Sequence, residues 1–428
     1  MRRLLVAAVL PAILIVACGS VAQDQPPTAS TSQAAARTND ALVLGAPEGT
    51  RIIDANGKVV VDLGPVIGGP GWTVAFASDV DGTGNSALRV IDARSGKTTR
   101  TMQLSGRWSP VAGYGTGYGI QSGPSGLSPS GRWLVLTDTR PDRTAFQIID
   151  TTGAVQPNRI DIPGRYSFDA VSDNGTSLFL VERMEGTKYR VRVADIASGA
   201  LVPGSVVDVK QIASTADENG VMNGSYTTAT AGPSGEWYFS VYQHPTKGPY
   251  IHALNTHARY AECILDLPTF GKAGAVELAK QPFWSLALGQ KQSMARLYAV
   301  NGALGQVALV DPYEIKVMQS ATFKVPAPAP GRAAFVPQNG AAVSPDGYRL
   351  YALGEKGIFL IDTSDLSLRA TFAQGAAFRG LAVSADNATL YALAADGRSI
   401  SVLDARTGRP ATTLQLASAA DFIAVQKP

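Results

Sequence analysis

The sequence predicts an all-β fold: one ring of eight four-stranded antiparallel blades, closed by pairing the C-terminal strand with the N-terminal blade. Three observations predict it. A short motif recurs forty residues apart, at Ala342-Val343-Ser344-Pro345-Asp346-Gly347 and at Ala382-Val383-Ser384-Ala385-Asp386-Asn387. Eight apolar runs end on an Asx residue: Asp54, Asp92, Asp150, Asp195, Asn255, Asp311, Asp362 and Asp404. Beyond residue 40 no long stretch carries the 3.6-residue period of an amphipathic helix, and 44 glycines with 26 prolines supply the turns that such a fold needs.

Residues 1–17 read as an export signal. Arg2 and Arg3 precede an apolar run, Leu4 to Ala17, that is short for a membrane-spanning helix. The residues Ile15-Val16-Ala17-Cys18-Gly19 resemble the bacterial lipobox. That resemblance implies cleavage before Cys18 and a lipid on its sulfur, hence an extracytoplasmic domain on the cell surface or periplasmic side. Residues 18–40 hold Gln, Pro, Thr, Ser and Ala with almost no large apolar side chain, the composition of a tether that cannot bury enough surface to fold. Residues 41–428 then form the folded domain. Its single cysteine, Cys263, precludes an internal disulfide and sits in the apolar run Cys263-Ile264-Leu265, so a buried small side chain is expected.

Each repeat runs as strand, turn, strand. After the two clear copies come Leu350-Tyr351-Ala352-Leu353 and Leu390-Tyr391-Ala392-Leu393. Weaker copies begin at Leu127-Ser128-Pro129-Ser130-Gly131, Val171-Ser172-Asp173-Asn174-Gly175 and Ala231-Gly232-Pro233-Ser234-Gly235. Proline presets φ in these turns, and Gly or Asn accepts positive φ. A third strand ends on the Asx residue, often entering a tight turn such as Asp92-Ala93-Arg94-Ser95-Gly96, and a fourth follows, as from Thr99 to Leu104. Four antiparallel strands per unit make a β-propeller blade. The first unit, Ala41 to Gly64, lacks an inner strand, and Asp421-Phe422-Ile423-Ala424-Val425 reads as an inner strand without a blade, so the two are expected to pair. The unit from Trp72 to Leu104 marks its inner strand poorly, which leaves a seven-blade count open. The repeats resemble the YVTN, TolB and WD40-like propeller repeats of exported bacterial proteins over nearly the whole chain after residue 40.

Chemistry is sparse. The net charge of +3 gives no footprint for nucleic acid. Three histidines, His244, His252 and His257, fall in one unit at spacings that match no metal-ligand pattern. Asp79-Val80-Asp81-Gly82-Thr83-Gly84-Asn85 resembles the calcium loop of FG-GAP propellers, which makes Asp79, Asp81 and Asn85 the candidate metal ligands. Thr83 and Ala87 occupy positions where further oxygens are needed, and a plain Asp-Gly hairpin explains the segment equally well. Apart from that calcium reading no cofactor is expected. The segment from Gly113 to Gly119 is no dinucleotide fingerprint and reads as a blade-to-blade loop, with Tyr114 and Tyr118 able to contact a ligand.

Aromatic and Arg residues precede several inner strands: Arg107-Trp108, Arg165-Tyr166, Phe283-Trp284, Arg332 and Phe378-Arg379. If they converge at the channel mouth they form a ring suited to anionic or aromatic ligands; otherwise they plug the channel and pack the blades. The expected function is a membrane-anchored, extracytoplasmic propeller, monomeric and non-enzymatic, that binds a protein or a small ligand. Two alternatives stand beside it. Exported lactonases and quinoprotein dehydrogenase subunits use similar propellers, but they need acidic or His clusters in the channel, where Asp169 and Asp421 are the few acids. TolB-like scaffolds would instead present a broad apolar patch.

Overall fold

The computed structural model describes residues 40–46, 48–111, 125–206, 220–264, 266–326, 337 and 339–426. Within them the chain forms eight four-stranded antiparallel sheets, numbered here as blades 1 to 8 in chain order. Among the described residues helix is confined to one turn, Ala275–Ala279, and two 3-10 turns, Pro70–Trp72 and Gln281–Phe283. No helix among the described residues is long and apolar enough to cross a membrane.

Blade 1 is shared by the two ends of the domain. Its outer three strands are Leu42–Ala46, Gly49–Ile53 and Val59–Gly64, and its innermost strand is Phe422–Val425. Leu42 faces Val425, Val43 faces Ala424 and Leu44 faces Ile423, the expected closure. Blade 2 settles the count at eight. Its inner strand exists but is only Ile67–Gly68, paired with Phe76 and Ala75. The chain then turns at once through Gly69 and Pro70, which is why no apolar run announced the strand.

The recurrent serine of each repeat explains itself in the turns. Ser172, Ser344 and Ser384 are buried, and each accepts the backbone N–H five residues on, at 3.0, 3.0 and 2.8 Å. Their hydroxyls donate to Asn174, Asp346 and Asp386, so one side chain satisfies both arms of the turn. The strand-ending aspartates work similarly. Asp404 Oδ1 accepts the backbone N–H of Thr407 at 2.8 Å, and Gly408 takes φ +69° where a Cβ would strike Phe372.

Eight apolar clusters hold the described residues together, one in each gap between neighbouring blades. The gap between blades 8 and 1, for instance, buries Leu42, Leu44, Tyr391, Ile400 and Ile423. Stability therefore resides between blades, each of which covers its neighbour's apolar face.

Ser109–Pro110 and Leu127 all face the second strand of blade 3, and Met222–Asn223 pair with the third strand of blade 4, Lys188–Asp195; Gly113 to Gly119 lie outside the described residues. Tyr114, Tyr118, Arg332 and Cys18 lie outside the described residues.

Candidate functional site

Every blade repeats one strand order and direction, so all inner strands begin at one end of the central channel and finish at the other. The residues expected to ring the channel sit at the beginning end. There Trp108 is packed into the gap between blades 2 and 3 and is 1% exposed. Its indole N–H donates to the Ser105 carbonyl at 2.8 Å, and the Arg159 guanidinium lies 5.4 Å from its ring centre. Trp284 and Phe283 are equally buried, Trp284 between blades 5 and 6. Tyr166 is half-buried against the gap between blades 3 and 4, while Arg107 and Arg165 are exposed. The tryptophan faces are thus spent on inter-blade packing and withheld from any ligand, because a wide apolar ring at a strand start is best covered by the next blade.

Arg379 does reach the channel wall. It is the extra residue of a bulge between Phe378 and Gly380, and bulges re-aim side chains. Its guanidinium is committed to Asp421, just before the inner strand of blade 1, and donates to the Ala420 carbonyl. Beside it, Asn339 donates its amide to the Leu381 carbonyl at 2.8 Å, so blades 7, 8 and 1 are tied together along the inner edge. The pair Arg379–Asp421 ties blade 8 to blade 1 and neutralises the Arg379 charge.

At the finishing end of the inner strands lies a cavity of about 240 Å³. Its walls come from Gly68 to Pro70 of blade 2, Ser125 to Pro129 of blade 3, and Ala229 to Ala231 with Tyr238 of blade 5. Tyr238 bridges over blade 4, its hydroxyl donating to the Leu127 carbonyl at 2.9 Å. Rigid backbone from three blades therefore frames the space, small beside ordinary ligand pockets of roughly 300–1,000 Å³.

Blade 4 carries a second inner-strand bulge. Asp169 is its extra residue, between Phe168 and Ala170 of the inner strand Tyr166–Val171. The carboxyl is 7% exposed, and its Oδ2 has no hydrogen-bond partner among the described residues. Burial pushes it up to about 7, against a smaller opposing pull from the Arg183 charge. Its charge is felt by Tyr226 and by Tyr238, both on blade 5, which raises their phenols further above the level burial alone would give. A third bulge, at Thr227 of blade 5, has its hydroxyl bonded by the Gln243 amide.

The three candidate calcium ligands are engaged by the hairpin and its neighbours. Asp79 is paired with Arg89 at 2.6 Å. Asp81 Oδ1 accepts the N–H of Thr83 at 2.8 Å, the Thr83 hydroxyl at 2.7 Å and the N–H of Asn85 at 3.0 Å. Asn85 spends its carbonyl on Gly106 N–H at 3.1 Å. The three candidate ligands serve a hairpin and its neighbours, and no group of three or more His, Cys, Asp or Glu able to hold a metal occurs among the described residues. The histidines are structural too: His244 Nδ1 accepts the N–H groups of Thr246 and Lys247, and His257 stands 3.5 Å from Glu236. Cys263 is buried, its sulfur 3.7 Å from His252 Nδ1. Lys280, 1% exposed, forms an ion pair with Glu355 that joins the segment before blade 6 to a loop of blade 7.

The fold and this channel define an eight-bladed β-propeller with a cavity at the finishing end of its inner strands. No known sequence family matches the chain, and no curated protein matches it in sequence. Among solved structures it is similar to the dihydro-heme d1 dehydrogenase NirN in complex with DHE, at 14% identity and TM-score 0.52, over 91% of this chain and 76% of that one. It is similar as well to apo AztD from Citrobacter koseri, at 14% identity and TM-score 0.52, over 90% of this chain and 97% of that one. BamB from Moraxella catarrhalis follows at 12% identity and TM-score 0.48, over 82% and 87% of the two chains. These neighbours are propellers, and at such identities the likeness is one of fold alone.

Proposed function

We propose that this chain is a lipid-anchored, extracytoplasmic binding propeller whose channel cavity receives a small ligand. The observation that carries the reading is the cavity of about 240 Å³ framed by fixed backbone of blades 2, 3 and 5. A rigid scaffold holding a few polar groups around a concave apolar space is what ligand sites share. The anchor reading is supported by the resemblance of Ile15 to Gly19 to the bacterial lipobox, with Cys18 as the lipidated residue.

The test has two arms. Ala229→Trp fills the cavity without touching the blade gaps, and melting temperatures of wild type and variant are compared across a panel of small anions, cations, sugars and quinones. Ligands that raise the wild-type melting temperature and leave the variant unmoved support the site. A panel that shifts both proteins alike defeats it. In the second arm Cys18→Ser is expected to move the protein from the membrane fraction to the soluble fraction, and retention in membranes defeats the anchor.

A further inference from the structure

The cavity is walled by main chain as well as by side chains, and the strand register fixes which way that main chain points. In an antiparallel pair the N–H and C=O groups of alternate residues face the partner strand, and those of the residues between face away from it. In blade 5 the Gly232 N–H donates to the Trp237 carbonyl at 2.7 Å. Ala231 opposite Tyr238, and Ala229 opposite Ser240, are therefore the residues whose main-chain groups turn from the second strand toward the channel. Both line the cavity. The Ala231 carbonyl meets the Thr230 hydroxyl at 3.4 Å, which leaves the N–H and C=O of Ala229 as the paired donor and acceptor of this edge.

Blade 3 repeats the geometry on the facing wall. The Val135 N–H donates to the Gly126 carbonyl and the Ser128 N–H to the Trp133 carbonyl, so Leu127, opposite Leu134, is turned to the channel. The hydrogen bond from Tyr238 to the Leu127 carbonyl follows from that direction. Among the described residues the cavity walls include no Asp, Glu, Lys, Arg or His. A charged ligand would lose water there with no opposite charge to replace it. An uncharged ligand with a donor and an acceptor on one edge can instead pair with Ala229 as one strand pairs with another. A peptide unit carries the two groups at that spacing, and the volume of about 240 Å³ suits a short one.

We propose that the cavity takes a short peptide with neither end charged, whose N–H and C=O pair with those of Ala229. The proposal rests on the reading of the cavity as a ligand site, and names the class of ligand.

Four probes of similar size test it by ligand-observed NMR titration of the full chain. They are N-acetylalanine N-methylamide, its ester analogue with oxygen in place of the alanine N–H, the cation alaninamide and the anion N-acetylalaninate. The amide is expected to bind, and the ester to bind roughly tenfold more weakly, because the Ala229 carbonyl loses its donor. Neither charged probe should match the amide. Ala229→Pro deletes the channel-facing N–H and no ladder bond, a change that a strand edge tolerates. It should weaken the amide roughly tenfold, while Ala229→Gly, which keeps the N–H, stays within about twofold of wild type. Each variant is checked for its β spectrum and cooperative melting, and if Ala229→Pro does not fold, the ester comparison on wild type decides alone. Equal binding of amide and ester to wild type, or full affinity in a folded Ala229→Pro, overturns the main-chain pairing. A charged probe that binds best and is lost in Ala229→Trp overturns the peptide while leaving the cavity as a ligand site. No binding of any probe overturns the peptide, and overturns the cavity as well if the wider panel also gives nothing that Ala229→Trp abolishes.

Discussion

Asp169 is the residue at which local rule and global fold disagree most. Within Tyr166-Ser167-Phe168-Asp169-Ala170-Val171 a charge interrupts an apolar strand, and that interruption was visible as an acid near the channel. What no linear pattern could reveal is the bulge at Asp169, because a bulge depends on the register with Phe179 and Leu180. The tryptophans show the converse. Trp108 and Trp284 advertise binding by composition, yet their depth is set by blades distant in the chain. The titration of Asp169 has a sign that can be tested. Its folded-state carboxyl titrates near 7, against an ordinary value of 3.8, so the unfolded chain releases this proton first. Its contribution is most favourable below about pH 4 and is lost as pH rises toward 7. Asp169→Asn should therefore be more stable than wild type at about pH 8, by on the order of a few kcal/mol, and much closer to it at about pH 4. Urea denaturation at the two pH values reads this directly, and a difference that does not grow with pH contradicts the assigned burial.

At the scale of elements, most of the fold was legible. The Ser-x-Asx turns and strand-ending aspartates are chemical necessities of tight hairpins, so they appear as fixed residue types at fixed spacing. Inner strands were legible where they are long, as at Phe378–Val383, and obscure where they shrink to Ile67–Gly68 or are split around Leu127. The Asp79 to Asn85 segment was ambiguous because a hairpin and a calcium loop both call for oxygen donors next to glycine. In the structure each of these donors is held by the hairpin or its neighbours. Adding calcium, or a chelator, should leave the melting temperature unchanged. Asp81→Ala should lower the melting temperature slightly through the turn alone, and a calcium-dependent shift that vanishes in that variant would assign the segment to the metal.

The described propeller domain is a closed cycle of eight gaps, each sealed by side chains from two blades. In such an arrangement one weak gap limits all the others, and the gap between blades 8 and 1 depends on a strand of only four residues, Phe422–Val425. Ile423 is fully buried there. Ile423→Ala is expected to cost about 2–5 kcal/mol, and removal of residues 421–428 should replace the single cooperative transition by a broad one, followed by tryptophan fluorescence and far-UV dichroism together. Coincident, sharp transitions in the truncated chain would mean that seven full blades and a partial one are self-sufficient.

The shared first blade also sets an order of events in the making of the protein. A ribosome delivers Leu42–Ala46 near the start of the domain and Phe422–Val425 near its end, so the first strand waits with an open edge for almost the whole of synthesis. Blades 2 to 8 can form one after another as they emerge, but the final circular closure is withheld until the last strand is released. The nascent domain therefore keeps one blade edge open until Phe422–Val425 pairs with Leu42–Ala46.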